Sequence, residues 1–169
     1  MLVRFNRFPI LIPAMLLAST PASAQTPPAA AADAAEIHAK VAAMAARMGT
    51  ATFAYEPLVK DGEIVAALEY WKAPGQPAVH PDEAEYAMVV DGAGTLVSGG
   101  TLHDAKETRP GLVEGSRIEG GTSRPLGPGD VILVPAGVPH WFGIDGKLVL
   151  LGMKVAAPHG RDTDRQASR

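Results

Sequence analysis

Two hydrophobic rhythms divide the chain. Between residues 33 and 48, apolar side chains recur at Ile37, Val41, Met44 and Met48, spaced by four, three and four. That spacing puts them on one stripe of an amphipathic helix. Asp33, followed three residues later by Glu36, has the form of an N-terminal capping box, and Gly49 suits the C-terminal stop. His38, on the same stretch, is expected to face solvent. After Gly49 the pattern shortens to brief β-type runs, which predict strands over 52–59, 64–71, 86–90, 94–97, 130–134 and 147–155. Asp61-Gly62, Asp91-Gly92 and Asp145-Gly146 read as hairpin turns between them. Strands without intervening helices predict an all-β domain over 51–158, a sandwich or barrel, with the one helix packed outside it.

Residues 98–128 break the rhythm. They are rich in glycine, proline and charge, and so long an irregular segment in a small domain reads as a lid, with a short extra strand near 116–119. Gly120-Gly121-Thr122 lacks the Lys-Ser/Thr and the following helix of a phosphate loop.

The first 24 residues change the picture of where the protein works. Arg4 and Arg7 precede an apolar stretch over 8–18, and Ala22-Ser23-Ala24 closes the segment, the order of parts of a secretory signal peptide. The apolar stretch is short and broken by Pro9 and Pro13, so no stable membrane anchor is expected once the signal is cleaved. The arginines are not a twin pair. The expectation is a periplasmic or secreted protein, with 25–50 forming a Pro/Ala linker and the helix, and 159–169 a polar tail in which His159 has no role. Cleavage removes two basic residues, leaving 13 basic against 18 acidic and a net charge of −5. That balance has no electrostatic footprint for nucleic acid. Cysteine is absent, so a packed core must supply the stability.

The candidate chemistry lies in two runs. Gly129-Asp-Val-Ile-Leu-Val-Pro135-Ala-Gly137-Val-Pro-His140 is a turn glycine, a buried strand, and a Pro/Gly reversal that delivers one imidazole at a fixed place. Far upstream, Ala-Val-His80-Pro-Asp-Glu-Ala-Glu85-Tyr-Ala-Met-Val-Val-Asp-Gly92 offers a second imidazole and a carboxylate. Two neutral imidazoles and one carboxylate form a first shell suited to a divalent transition metal, with Fe, Mn, Ni and Zn all compatible with these ligand types. Each residue also has a plainer reading: His140 as a buried histidine bonded to a backbone carbonyl, Glu85 as a surface strand residue, His80 as a loop residue.

The two runs resemble the paired motifs of the cupin superfamily. The first cupin motif is His-x-His, three or four residues, Glu, six residues, Gly; here His80, Glu85 and Gly92 match, and Ala78 stands where the first histidine would be. The second is Gly, five residues, Pro-x-Gly, two residues, His, three residues, Asn; Gly129, Pro135, Gly137 and His140 match, and Ile144 replaces the asparagine. A second register takes His80 as the first histidine and puts Asp82 in place of the second. The resemblance implies a double-stranded β-helix (jelly-roll) barrel, paired as a homodimer, with a metal held by His80, Glu85 and His140 near one mouth. It also implies an enzyme acting on a small polar organic molecule by oxygenation, isomerisation, a lyase step or decarboxylation. The rival reading is a non-catalytic small-molecule or sugar-binding cupin whose metal site degenerated with Ala78.

Among the remaining candidates, His103 in the 98–128 segment could replace the fourth ligand or act as a base, or simply face water. Trp71, Tyr86, Trp141 and Phe142 could line a ligand pocket or belong to the core. Ser98, Ser116 and Ser123 lack any nucleophile-elbow context.

Overall fold

Asp33 caps the helix that the apolar periodicity predicts. The Asp33 carboxylate accepts from the Glu36 amide at 2.8 Å, and helix α1 runs Ala34–Arg47. The structure, a computed structural model, describes residues 28–157. The expected signal peptide over 1–24 and the tail over 159–169 with His159 lie outside the described residues.

Eleven strands follow. They are β1 (Phe53–Asp61), β2 (Ile64–Trp71), β3 (Ala78–Val79), β4 (Glu83–Ser98), β5 (Thr101–His103), β6 (Lys106–Arg109), β7 (Leu112–Glu114), β8 (Arg117–Glu119), β9 (Thr122–Leu126), β10 (Val131–Val134) and β11 (His140–Ala156). All pairing is antiparallel. β4 and β11 pair along their lengths from His140↔Ser98 to Ala156↔Glu83. Seven strands flank this ribbon: β1 and β2 beside the C-terminal half of β11, β10 and β9 beside the two halves of β4, and β3, β7 and β6 beside the start of β11, while β5 and β8 form a separate two-stranded sheet. The result is the expected all-β jelly-roll barrel with one helix.

The Asp61-Gly62 hairpin is present, with Asp61 opposite Ile64. The other two expected turns are corrected: Asp91-Gly92 and Asp145-Gly146 lie inside the continuous strands β4 and β11. They face one another where the register jumps from Asp145↔Ala93 to Leu148↔Gly92, so the glycines form a bulge that bends both strands together rather than a reversal. Gly92 adopts φ +84°, and a Cβ there would lie 2.2 Å from the Lys147 carbonyl oxygen. The Lys147 ammonium donates to Asp91 across the bulge.

Residues 98–128 are also more regular than expected. Five short strands occupy the segment, β8 standing where the extra strand was placed, and β7 and β9 join the main sheet. Strands of three to five residues with exposed faces, such as Lys106–Arg109, carry no alternation for sequence reading to detect.

Two apolar clusters hold the fold. Inside the barrel, Ala87, Val89, Leu96, Leu126, Ile132, Val134, Leu148 and Leu150 pack together. Outside it, the α1 stripe of Val41 and Met44, with Met48, covers Leu68, Tyr70 and Val149. Each fully buried side chain here contributes about 1.5–3 kcal/mol. The helix covers only part of that outer face. Val131 and Leu133 of β10, Tyr86 and Met88 of β4 and Met153 of β11 remain exposed in adjoining cross-strand rows.

Candidate metal centre

Strand alternation places the carboxylate. Along β4, Glu85, Ala87 and Val89 are buried while Tyr86 and Met88 are exposed, so Glu85 points into the barrel with the core residues. Tyr86 therefore lies on the outer face and does not line the pocket, a correction to its sequence reading. The Pro135-Ala-Gly137 reversal supplies the rest. Gly137 (φ +77°) donates to the His80 carbonyl at 2.8 Å, and the Val138 amide returns to the Pro135 carbonyl at 3.2 Å. The chain then re-enters the sheet at His140, whose Cα partner is Ala78. One turn thus fixes both imidazoles relative to each other.

His80, Glu85 and His140 are all buried, and their ligand atoms lie within 4.8 Å of one another. Both Nε2 atoms are 3.5 Å from Glu85 Oε2. Each Nδ1 faces a backbone carbonyl, His80 that of Gly111 at 3.3 Å and His140 that of Val138 at 3.1 Å. A carbonyl can only accept, so each Nδ1 carries the proton and each Nε2 presents a lone pair to the shared centre. Two ligands bound at about 2.1 Å and roughly tetrahedral angles stand about 3.4 Å apart, so this donor set fits one cation after small side-chain shifts. Gly111 belongs to the two-residue Pro110-Gly111 turn joining β6 and β7, with positive φ at the glycine. The 98–128 segment therefore contributes the orienting partner of one ligand.

The electrostatics agree with a cation site. Burial pushes the Glu85 carboxyl up, but His140 and His80, once protonated at Nε2, together with the Lys154 charge, outweigh it and hold the group at about 2. His80 is lowered, first by burial and then by Lys154, which favours the neutral imidazole a metal needs.

The sequence candidates divide cleanly. Ala78 lies on the wall of the same cavity, opposite His140, where the missing histidine would stand. Asp82, which the second register used, is exposed and outside the cluster. Ile144 packs against the interior apolar cluster, so its position belongs to the core. His103 takes no part in the cluster: its Nε2 pairs with Glu119 at 2.7 Å on the separate β5–β8 ribbon. His38 is exposed, as expected. Trp71, Trp141 and Phe142 line the cavity.

Three residues went unread in the sequence. Lys154 is the direct cross-strand partner of Glu85, with Nζ 3.7 Å from Oε2. Glu69, half-buried on β2, accepts from the Trp71 indole at 3.2 Å; burial and the Glu85 charge raise its pKa. Arg109 is exposed at the rim. Only Glu69 left a signal, since it shares the period-2 face of Trp71 within a predicted strand.

Comparison with known proteins agrees with this architecture. A family model described as Cupin matches residues 33–166. No curated protein matches the chain. Among solved structures, the chain is similar to TT1209 from Thermus thermophilus, at 17% identity and a TM-score of 0.47 over 66% of this chain and 90% of that one. It is also similar to hydroquinone 1,2-dioxygenase from Sphingomonas sp. TTNP3 with 4-hydroxybenzoate bound, at 17% identity and 0.47 over 61% and 66%. A recombinant oxalate oxidase in complex with glycolate gives 14% and 0.44 over 63% and 52%. The chain spans about half to two thirds of these last two proteins.

Proposed function

The chain belongs to the cupin family, and we propose that it is a periplasmic or secreted metal-dependent enzyme acting on a small polar organic molecule. The observation that carries this reading is the convergence of two Nε2 lone pairs and one depressed carboxylate on a common centre inside a ligand-accessible cavity. A divalent transition metal held by His80, Glu85 and His140 would supply Lewis acidity at a substrate oxygen. The chain's own residues do the rest. The Gly111 and Val138 carbonyls lock the imidazole tautomers, the aromatic wall of Trp71 and Phe142 excludes water, and Glu69, oriented by the Trp71 indole, can take or return a proton beside the site. Ala78 leaves one coordination position to solvent or substrate.

Metal analysis of protein matured in the periplasm tests the proposal. About one equivalent of Fe, Mn, Ni or Zn, absent from His140→Ala, is the expected result. Metal-free protein that still binds an organic ligand tightly would instead favour the non-catalytic binding reading, which Ala78 alone supports. Export is tested by mass spectrometry: the secreted chain is expected to begin at Gln25, and retention of Met1 would remove the localisation. The homodimer is proposed to form through the exposed rows of Tyr86, Met88, Val131 and Leu133, a two-strand apolar face that a second copy can match about a two-fold axis. Sedimentation of Val131→Lys/Leu133→Lys should show a monomer, and an unchanged mass would exclude that face.

A further inference from the structure

Lys154 is unexpected beside a cation site. It projects from β11 directly opposite Glu85, and its ammonium lies 3.7 Å from the carboxylate oxygen that both imidazoles also face. In this arrangement the lysine neutralises Glu85, the role a bound metal would take over. A divalent ion and an ammonium repel each other across so short a distance in a partly buried site. Metal binding must therefore release Lys154 from Glu85.

The charges lining the cavity say what the released lysine would do. Glu69, Glu85 and Glu114 stand against Lys154 and Arg109, so with neutral imidazoles the cavity carries a net −1 and repels anions. A divalent cation turns that into +1 and frees one ammonium at the same moment. Trp71, Trp141 and Phe142 supply the apolar part of the lining. The cavity encloses about 180 Å³, the space of about six waters at ~30 Å³ each, which suits a small organic molecule.

Resting on the metal-centre reading, we propose that the site takes a small organic carboxylate with an apolar body, that it does so only once the metal is bound, and that Lys154 moves from Glu85 to the substrate carboxylate, with Arg109 at the rim. Without Lys154 the metal adds the same two charges, taking the cavity from −2 to neutral, but no ammonium is freed to meet the carboxylate, so the part of the coupling that Lys154 carries is lost.

The experiment uses Zn²⁺ and benzoate as probes, with benzyl alcohol as the uncharged control. Calorimetry follows binding, and so does tryptophan fluorescence, since the chain's two tryptophans, Trp71 and Trp141, both line the cavity. Zn²⁺ should tighten benzoate binding by about tenfold or more, benzoate should tighten Zn²⁺ binding by the same factor, and benzyl alcohol should show no such coupling. Lys154→Met should bind Zn²⁺ alone several-fold more tightly, because no ammonium must be displaced, yet couple to benzoate several-fold more weakly than the wild type. Lys154→Arg should keep the coupling. A lysine that only supported the fold would not move these two quantities in opposite directions. Equal benzoate affinity with and without Zn²⁺, or full coupling retained in Lys154→Met, overturns the proposal and leaves the metal centre standing. Failure of the wild-type protein to bind Zn²⁺, Mn²⁺ or Fe²⁺ overturns both.

Discussion

The two ends of the barrel interior use the same strands for opposite purposes. On β4, Glu85 and Val89 are both inward-facing and almost fully buried, and both are cross-strand partners of β11, yet one joins an ionic cluster and the other an apolar core. The apolar end holds the shape. The polar end gathers His80, Glu85, His140 and Lys154 where the Pro/Gly reversal before β11 and the β6–β7 turn supply carbonyls for the imidazoles. Buried charge is costly unless partnered, so a ring of donors kept at one mouth of a barrel whose other end is sealed with leucine and valine marks the polar end as the working one.

That contrast predicts a separation of effects. The largest change in stability belongs to the apolar end. Leu148 is fully buried, and Leu148→Ala should cost about 2–5 kcal/mol in denaturant unfolding while leaving the stoichiometry of bound metal unchanged. A loss of metal sites in the folded fraction of that variant would mean the two ends are not separable.

The polar end should dominate the acid response of the metal-free protein. Glu85 is held at about 2 when folded, against an ordinary value of 4.5, so its contribution is complete above the unfolded pKa and is lost as pH falls toward 2. Integrated, that is on the order of 3 kcal/mol. His80 acts with the same sign. Its folded pKa is lowered from 6.5, so its contribution is complete above that value and declines as pH falls below it. Unfolding free energy measured from pH 7 to pH 2 should fall throughout, and Glu85→Gln should flatten the part below pH 4.5. An unchanged slope in that variant would show that Glu85 is not the group responsible.

Filling the vacant wall position is a smaller change. Ala78→His places a third imidazole opposite His140 and should tighten metal binding by about tenfold, or about 1.4 kcal/mol. Unchanged affinity would mean that Ala78 is not the missing ligand position. The smallest effect lies at the outer bulge, where Asp91 and Lys147 form an exposed pair. Asp91→Asn should cost less than about 1 kcal/mol and leave metal affinity alone.

The sequence made the helix and the candidate donor residues legible because both rest on local spacing. The Ile37, Val41, Met44 stripe became the covered face of α1, and the Gly129-to-His140 run delivered its histidine to the cavity wall. What it concealed depends on register. Lys154 is indistinguishable from any strand lysine until β11 pairs with β4 and sets it opposite Glu85. Asp91-Gly92 and Asp145-Gly146 have hairpin composition, and only their mutual pairing makes them one bulge. His103 looked available because its partner Glu119 lies on a three-residue strand too short to read.

The most direct test of the central claim is a crystal structure of the metal-loaded protein with data collected at the metal's absorption edge. A single anomalous peak about 2.0–2.2 Å from Nε2 of His80, Nε2 of His140 and a carboxylate oxygen of Glu85 is the predicted result. A peak elsewhere, or protein that carries metal while these three side chains keep their contacts with Lys154 and one another, would contradict it.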